Sequence, residues 1–252
     1  MSEVTTQINS CDIDDIATYV REQYGKDPEV RAVDVFGELI HKVYEGRDIL
    51  EIGAGRRPML PESLHHQIRS YTINDISKQE LDLAPDTLHK VVYDFSDHIP
   101  ETEAGKYDLI FSSMVLEHVK SGSRFFDNLY FALKPGGISL HLHPTLFAPP
   151  MVANYLFPEK LTKPLLIAFR PHRTDEDTPK FPARYSYCYS TGKHIKRLKG
   201  KGFSKVTILP FWKHTYYRNI PVLEAVRKKI ARVAHRRNWR HLTTNAITLV
   251  QK

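Results

Sequence analysis

The chain has 252 residues, 41% hydrophobic and 26% charged, the make-up of a soluble globular protein long enough to bury a core. Its formal net charge of +7 admits nucleic acid, an anionic membrane or an acidic substrate as partner and chooses none of them. Its two cysteines, Cys11 and Cys188, match no metal or redox spacing, and no apolar run approaches the ~20 residues that span a bilayer.

The opening stretch MSEVTTQINSCDIDD is polar and acidic, without the apolar run of a secretory leader, so a cytoplasmic protein is expected. Ile13, Ile16 and Val20 then recur at helical spacing over 11–24. Asp27 and Pro28 open a second helix with Val30, Val33, Phe36, Ile40 and Val43 on its apolar face, and Gly46 closes it. Residues 1–46 are expected to form an N-terminal helical lid. Strands are expected over 48–53, 70–77, 89–96 and 107–114. A helix over 121–133 follows, with Phe125, Leu129 and Ala132 on one face, then the turn Lys134-Pro135-Gly136-Gly137 and a fifth strand over 138–143.

Residues 144–190 break this rhythm, with prolines at 144, 149, 150, 158, 164, 171, 179 and 182. An irregular tract of this length within a domain is usually functional, and its many aromatics argue against disorder. It is read as a substrate-binding insertion. A basic helix over 190–201, a strand over 204–212, a basic amphipathic helix over 221–238 and a last strand over 245–252 complete the chain. The expected fold is one α/β domain, a doubly wound, seven-stranded, mostly parallel sheet. Residues 47–143 form its ligand-binding core and 191–252 complete the sheet.

In such a sheet ligands bind beyond the carboxyl ends of the strands, where strand order reverses. The first strand ends in Gly53-Ala54-Gly55-Arg56-Arg57-Pro58. A P-loop needs a Lys-Ser or Lys-Thr pair and a dinucleotide turn needs a third glycine, and neither is present. A nucleoside triphosphate is therefore a poor fit. The second strand ends in Asn74-Asp75, and a carboxylate there accepts both hydroxyls of a ribose. The third ends in Tyr93-Asp94-Phe95, where a carboxylate can accept from an exocyclic amine and an aromatic can lie on a purine. The fourth ends in Ser112-Ser113-Met114. Together these suit a nucleoside without phosphates.

With "YDLIFSSMVLEHV" at the fourth strand and "LKPGG" before the fifth, the chain resembles the class I S-adenosylmethionine-dependent methyltransferases. Within them it resembles the sugar and glycan O-methyltransferases found with polysaccharide synthesis. The resemblance covers roughly 30–145, and more loosely 181–203 and the last strand. It implies that Glu51, Gly53, Ala54 and Gly55 hold the methionine end of S-adenosylmethionine. It gives Asn74 and Asp75 the ribose, Asp94 the adenine amine and Phe95 the ring face, with Ser112 and Ser113 on the floor. Arg57 departs from the family, standing where many members carry a third glycine.

Methyl transfer is an in-line displacement, and a hydroxyl acceptor must also lose its proton. The resemblance places His118 after the fourth strand and His143 at the end of the fifth beside the acceptor, where members carry an acid rather than His143. His118 is the expected base, assisted by His143. His141, on the same side of the strand as His143, reads as a packed core residue. The pair could ligate a metal, but no further ligand spacing supports one, and no metal is expected. The expected partner is a sugar, glycan or other small-molecule acceptor. The basic helix over 221–238 offers a peripheral contact with an anionic membrane at its inner face, or with a lipid-linked substrate. A small aromatic, quinone-like or lipid acceptor is the alternative. RNA is less favoured, since no RNA-binding signature occurs. A cofactor-fold module that docks polyanions without turnover is the non-enzyme alternative.

Overall fold

The computed structural model describes residues 12–146, 182–215 and 217–252. In chain order the elements are α1 (Ile13–Tyr24), α2 (Ala32–Val43), β1 (Asp48–Ile52), β2 (Ser70–Asp75), α3 (Lys78–Asp82), β3 (His89–Val92) and β4 (Tyr107–Ser113). They continue with α4 (Gly122–Ala132), β5 (Leu133–Pro144), α5 (Gly192–Lys199), β6 (Lys205–Phe211), α6 (Pro221–Arg236) and β7 (Asn245–Gln251). One seven-stranded sheet runs in the order β3-β2-β1-β4-β5-β7-β6. Its first five strands pair in parallel, and β7 is antiparallel to both neighbours. This is the doubly wound sheet expected. Strand order reverses between β1 and β4, which puts the glycine turn at the switch point.

Alternation along the strands builds two cores. Ile49, Leu109, Phe111 and Leu140 face the side of α1 and α2, whereas Leu50, Ile52 and Ile110 face the side of α4 with its Phe125, Phe126 and Leu129. Asp12 caps α1 by accepting from the Asp14 amide at 2.9 Å. Ile13, Ile16, Ala17 and Val20 are the stripe that α1 buries, and Val35, Phe36, Leu39, Ile40 and Val43 are that of α2. These helices rest on the sheet, α1 against β6 and β7 and α2 against β5 and β7. In its described part, the segment expected as a lid is therefore a core layer. The reason is that each stripe is fully apolar and finds an apolar sheet face.

Two strand boundaries near the site differ. β3 stops at Val92, so Tyr93 to Ser96 form a turn. β5 starts at Leu133 and takes in the Lys134–Gly137 turn, with a register shift against β4 between Tyr107 and Leu109. Of the insertion over 144–190, residues 147–181 lie outside the described residues. Its returning end is core: Tyr185, Tyr187 and Cys188 are buried, and the Tyr187 ring stacks on Phe126 at 5.6 Å.

β7 is antiparallel to both neighbours, so β6 runs in the direction of β5. The connection from β6 to β7, which contains α6, therefore starts and ends at the carboxyl edge of the sheet. Contacts along α1 agree. Asp12, at its start, pairs with Lys205 at the start of β6. The carbonyl of Gly25, at its far end, accepts from Nε2 of His235 in α6 at 3.0 Å.

Candidate active site

The carboxyl edge is organised by β2. The Asn74 carbonyl accepts from the amides of Gly53 at 2.7 Å and Ala54 at 3.1 Å. The Asn74 side-chain amide donates to the carbonyls of Val91 and Tyr93, holding the end of β3. Asp75 then accepts from the Gly55 amide at 3.1 Å and the Ser77 amide at 2.8 Å. Burial pushes its carboxyl above the ordinary value, against those two amides. Gly53 and Gly55 have φ of +72° and +54°, the left-handed region that favours glycine. A Cβ on Gly53 would lie 2.3 Å from Cγ2 of Val115, so the turn and the loop after β4 approach as only bare backbone allows.

Around this turn the charges are mostly spoken for. Glu51 is buried, and it accepts from the Tyr71 hydroxyl and from the Met59 amide at 3.0 Å. Burial outweighs these bonds and raises its carboxyl to about 7. Glu51 thus anchors the segment that follows the glycines. Arg56 makes a two-pronged pair with Glu80 at 2.7 and 2.6 Å, while Arg57 is exposed. Asp94 accepts from the Ser96 amide and hydroxyl and pairs with Lys120 at 3.1 Å. Burial pushes Asp94 up, but Ser96 and then Lys120 prevail and hold it below the ordinary value.

The loop after β4 closes the site from the other side. Met114 has φ of +57° and donates its amide to the Leu142 carbonyl at 2.8 Å. Val115 meets the glycine turn. Glu117 is buried, and its carbonyl accepts from the amides of Arg184 and Tyr185, tying the loop to the end of the insertion. Its Oε2 has no hydrogen-bond partner among the described residues, and burial raises its carboxyl to about 8. His118 is partly exposed, with Nε2 3.9 Å from Glu117 Oε1 and Nδ1 3.4 Å from the Pro182 carbonyl.

Two expected site residues stand elsewhere. Phe95 is buried, with its ring 5.5 Å from Phe125, and has no face open to a purine. It belongs to the turn after β3, whose direction strand alternation does not set. His143 is wholly buried, because alternation turns it with His141 to the face of the sheet that α4 covers. Its ring nitrogens meet the Pro144 carbonyl at 3.0 Å and the Thr248 hydroxyl at 2.9 Å. Burial lowers it to about 4, so it is neutral and engaged inside the sheet rather than at an acceptor. His141 is likewise buried, between the hydroxyls of Ser112 at 2.7 Å and Ser139 at 2.5 Å. Ser112 is thereby turned to His141, and Ser113 is half-buried at the strand end. Exposed apolar side chains occur instead at Ile76, directly after Asp75, and at Met114. An apolar residue following the strand-end carboxylate was the signal available for Ile76. Glu117 lay in plain view beside His118.

The strand order, the glycine turn at the switch and the carboxylate ending β2 define the Rossmann-like methyltransferase fold. A structure of an S-adenosylmethionine-dependent methyltransferase from Mesorhizobium loti shares it, with a TM-score of 0.53 and 17% identity over 86% of this chain and 96% of that one. So does one from Archaeoglobus fulgidus, with a TM-score of 0.51 and 13% identity over 94% and 99%. Phosphoethanolamine N-methyltransferase 2 of Haemonchus contortus, in complex with S-adenosyl-L-methionine, matches with a TM-score of 0.51 and 17% identity over 86% of this chain and 52% of its own. No curated protein matches the sequence. The methyltransferase domain family matches residues 25–175, more than half of the chain, and the chain belongs to that family. It is an S-adenosylmethionine-dependent methyltransferase. The residues present suit that cofactor: a bare-backbone turn, a strand-end carboxylate beside it and an exposed apolar group next in sequence.

Proposed function

We propose that this enzyme is an O-methyltransferase acting on a sugar or glycan hydroxyl, with His118 as the proton acceptor. The observation that carries the proposal is the place of His118. It sits partly exposed on the loop whose Val115 abuts the glycine turn. The acceptor class is supported by the resemblance of the "VLEHV" and "LKPGG" stretches to sugar and glycan methyltransferases.

When bound, S-adenosylmethionine supplies a methyl group activated by its sulfonium. The chain's part is to bind, align and deprotonate. The backbone of Gly53, Ala54 and Gly55 would admit the amino-acid end, with Glu51 keeping the turn in place through Met59. Asp75 would accept from the ribose hydroxyls with its remaining lone pairs, Ile76 would cover the adenine, and Asp94 would accept from its amine. Asn74, Ser112 and Ser113 shape the floor. His118 would take the acceptor's proton as the new carbon–oxygen bond forms, and His143 supports β5 from within. Histidine is the side chain most often used as a general base.

His118→Ala is expected to lower turnover by about 10²- to 10⁴-fold and to leave cofactor affinity unchanged. Transfer of labelled methyl into separated saccharide and lipid fractions, with product masses, provides the assay. Undiminished turnover would remove the role from His118. Label appearing only in an aromatic or lipid product would replace the acceptor class.

A further inference from the structure

α6 is turned the opposite way from an ordinary surface helix, which buries its apolar stripe and shows its charges. Its inward residues are Arg227, Ala231 and Ala234. The Arg227 guanidinium is held by Glu29 and Glu224, both at 2.6 Å, and the alanines pack with Trp212. Its branched residues point out. Val222, Val226 and Ile230 are 73%, 51% and 52% exposed, with Leu223 and Val233 exposed beside them. At ~100° per residue these five fall on one face of the helix.

Cations rim that face. Lys229, Arg232 and Arg236 are exposed and have no ion-pair partner among the described residues. At the helix end Arg237 lies 5.4 Å from the ring centre of Trp239, itself exposed. On the far flank a cleft of about 440 Å³ is lined by Lys213, Arg218, Lys228 and Arg232, and the two carboxylates within it are those bound to Arg227. Apart from Glu29, all of this lies in the β6–β7 connection, at the carboxyl edge that carries the glycine turn and His118.

The geometry points to α6 as a docking element for an anionic lipid bilayer. The helix lies flat on the membrane, with Val222, Val226 and Ile230 among the acyl chains and Lys229, Arg232 and Arg236 level with the phosphates. Charge complementarity selects this occupant. Nucleic acid would meet the cations and leave the branched stripe in water. A second copy, docked about a two-fold axis, would bring the same cations face to face. The docking extends the function proposed above, because an edge held at a membrane meets lipid-linked acceptors. Binding itself needs neither cofactor nor acceptor, so its test stands apart from the test of catalysis.

The full chain, without cofactor, is sedimented with phosphatidylcholine vesicles and with vesicles containing about one third phosphatidylglycerol. Pelleting is expected with the anionic vesicles only, and it weakens as salt rises. The double variant Val226→Asp with Ile230→Asp alters solvent-facing positions, and an unchanged melting temperature confirms its fold. It is expected to bind about tenfold more weakly or worse. Lys229→Glu with Arg232→Glu and Arg236→Glu is expected to bind roughly a hundredfold more weakly. Absence of pelleting with anionic vesicles overturns the proposal. So does binding that survives the Asp pair while poly(U) competes at equal strength, which assigns the cations to a nucleic acid. A dimer in light scattering that the Asp pair splits, with no vesicle binding, also overturns it and gives the stripe to a second copy.

Discussion

Gly53→Ala is expected to weaken S-adenosylmethionine binding by roughly two orders of magnitude, through about 1 kcal/mol of left-handed strain and a further 1–3 kcal/mol of overpacking. The strain comes from a φ of +72°, and the overpacking from a methyl 2.3 Å from Val115 Cγ2. Val115 cannot move away at no cost, because its β-branched side chain is stiff about χ1 and its loop backbone is fixed on both sides. The Met114 amide is bonded to β5, and the Glu117 carbonyl to the segment at 184–185. The added methyl therefore moves the turn proposed to receive the cofactor, or the loop that carries His118, or both. Gly55→Ala provides the control. Its φ of +54° is also left-handed, but the nearest atom to an added Cβ is Glu80 Oε2 at 3.7 Å. Strain alone then applies, and a loss of about tenfold or less is expected. Calorimetric titration of both variants, with melting curves to separate folding from binding, measures the contrast. Equal losses would show that the approach of Val115 does not shape the site.

The ligand-free protein is expected to be most stable near pH 6.5 and to lose on the order of 2 kcal/mol of stability by about pH 8 through Glu117 alone. Burial raises the folded carboxyl of Glu117 from 4.5 to about 8, and that of Glu51 to about 7. Between the unfolded and folded values the native state holds the proton and the unfolded chain does not. Stability from a raised carboxyl therefore falls as pH rises through that window. Buried His141, His143 and His194 act in the opposite direction. Burial lowers them from 6.5 to about 3, about 4 and about 3. Below 6.5 the unfolded chain binds protons that these rings refuse, so stability declines toward acid. Above 6.5 their contribution is complete, and the two glutamates set the slope. Glu117→Gln preserves the shape and removes one of the two. Denaturant melts across the range are expected to show a shallower alkaline decline for the variant, and a maximum moved upward. An unaltered alkaline slope would mean that the Glu117 carboxyl is not buried uncharged.

The doubly wound sheet was legible because the signals that carry it, short β-rich runs alternating with helices, are local and repeated. Each β-rich run ends on the right residues: Gly53 after β1, Asp75 at the end of β2 and Ser113 at the end of β4. Spacing alone then places them along one edge. What the sequence hides is which way a side chain turns once regular alternation lapses. Phe95 follows a strand that ends at Val92, so its inward direction comes from the turn and from the Phe125 ring beneath it. His143 points to a face of the sheet that a helix layer covers, and the hydroxyl and carbonyl that retain it come from residues far along the chain and next to it. Helical periodicity located α6 but not its orientation. A paired Arg227 can occupy the inner face as well as a leucine can, provided that Glu29 and Glu224 meet it, and Glu29 lies in the distant link between α1 and α2. The same limit applies to α1 and α2, whose stripes fit a lid or a core layer equally until the sheet is seen to offer them β5, β6 and β7.

The central claim is a crevice at the β1–β4 switch that receives S-adenosylmethionine. Isothermal titration of the purified chain with S-adenosylmethionine, alongside Asp75→Ala, tests it most directly. A saturable heat with one site per chain is predicted, greatly reduced in the variant although its fold persists. The absence of any saturable heat from the unaltered chain at millimolar ligand would contradict the account.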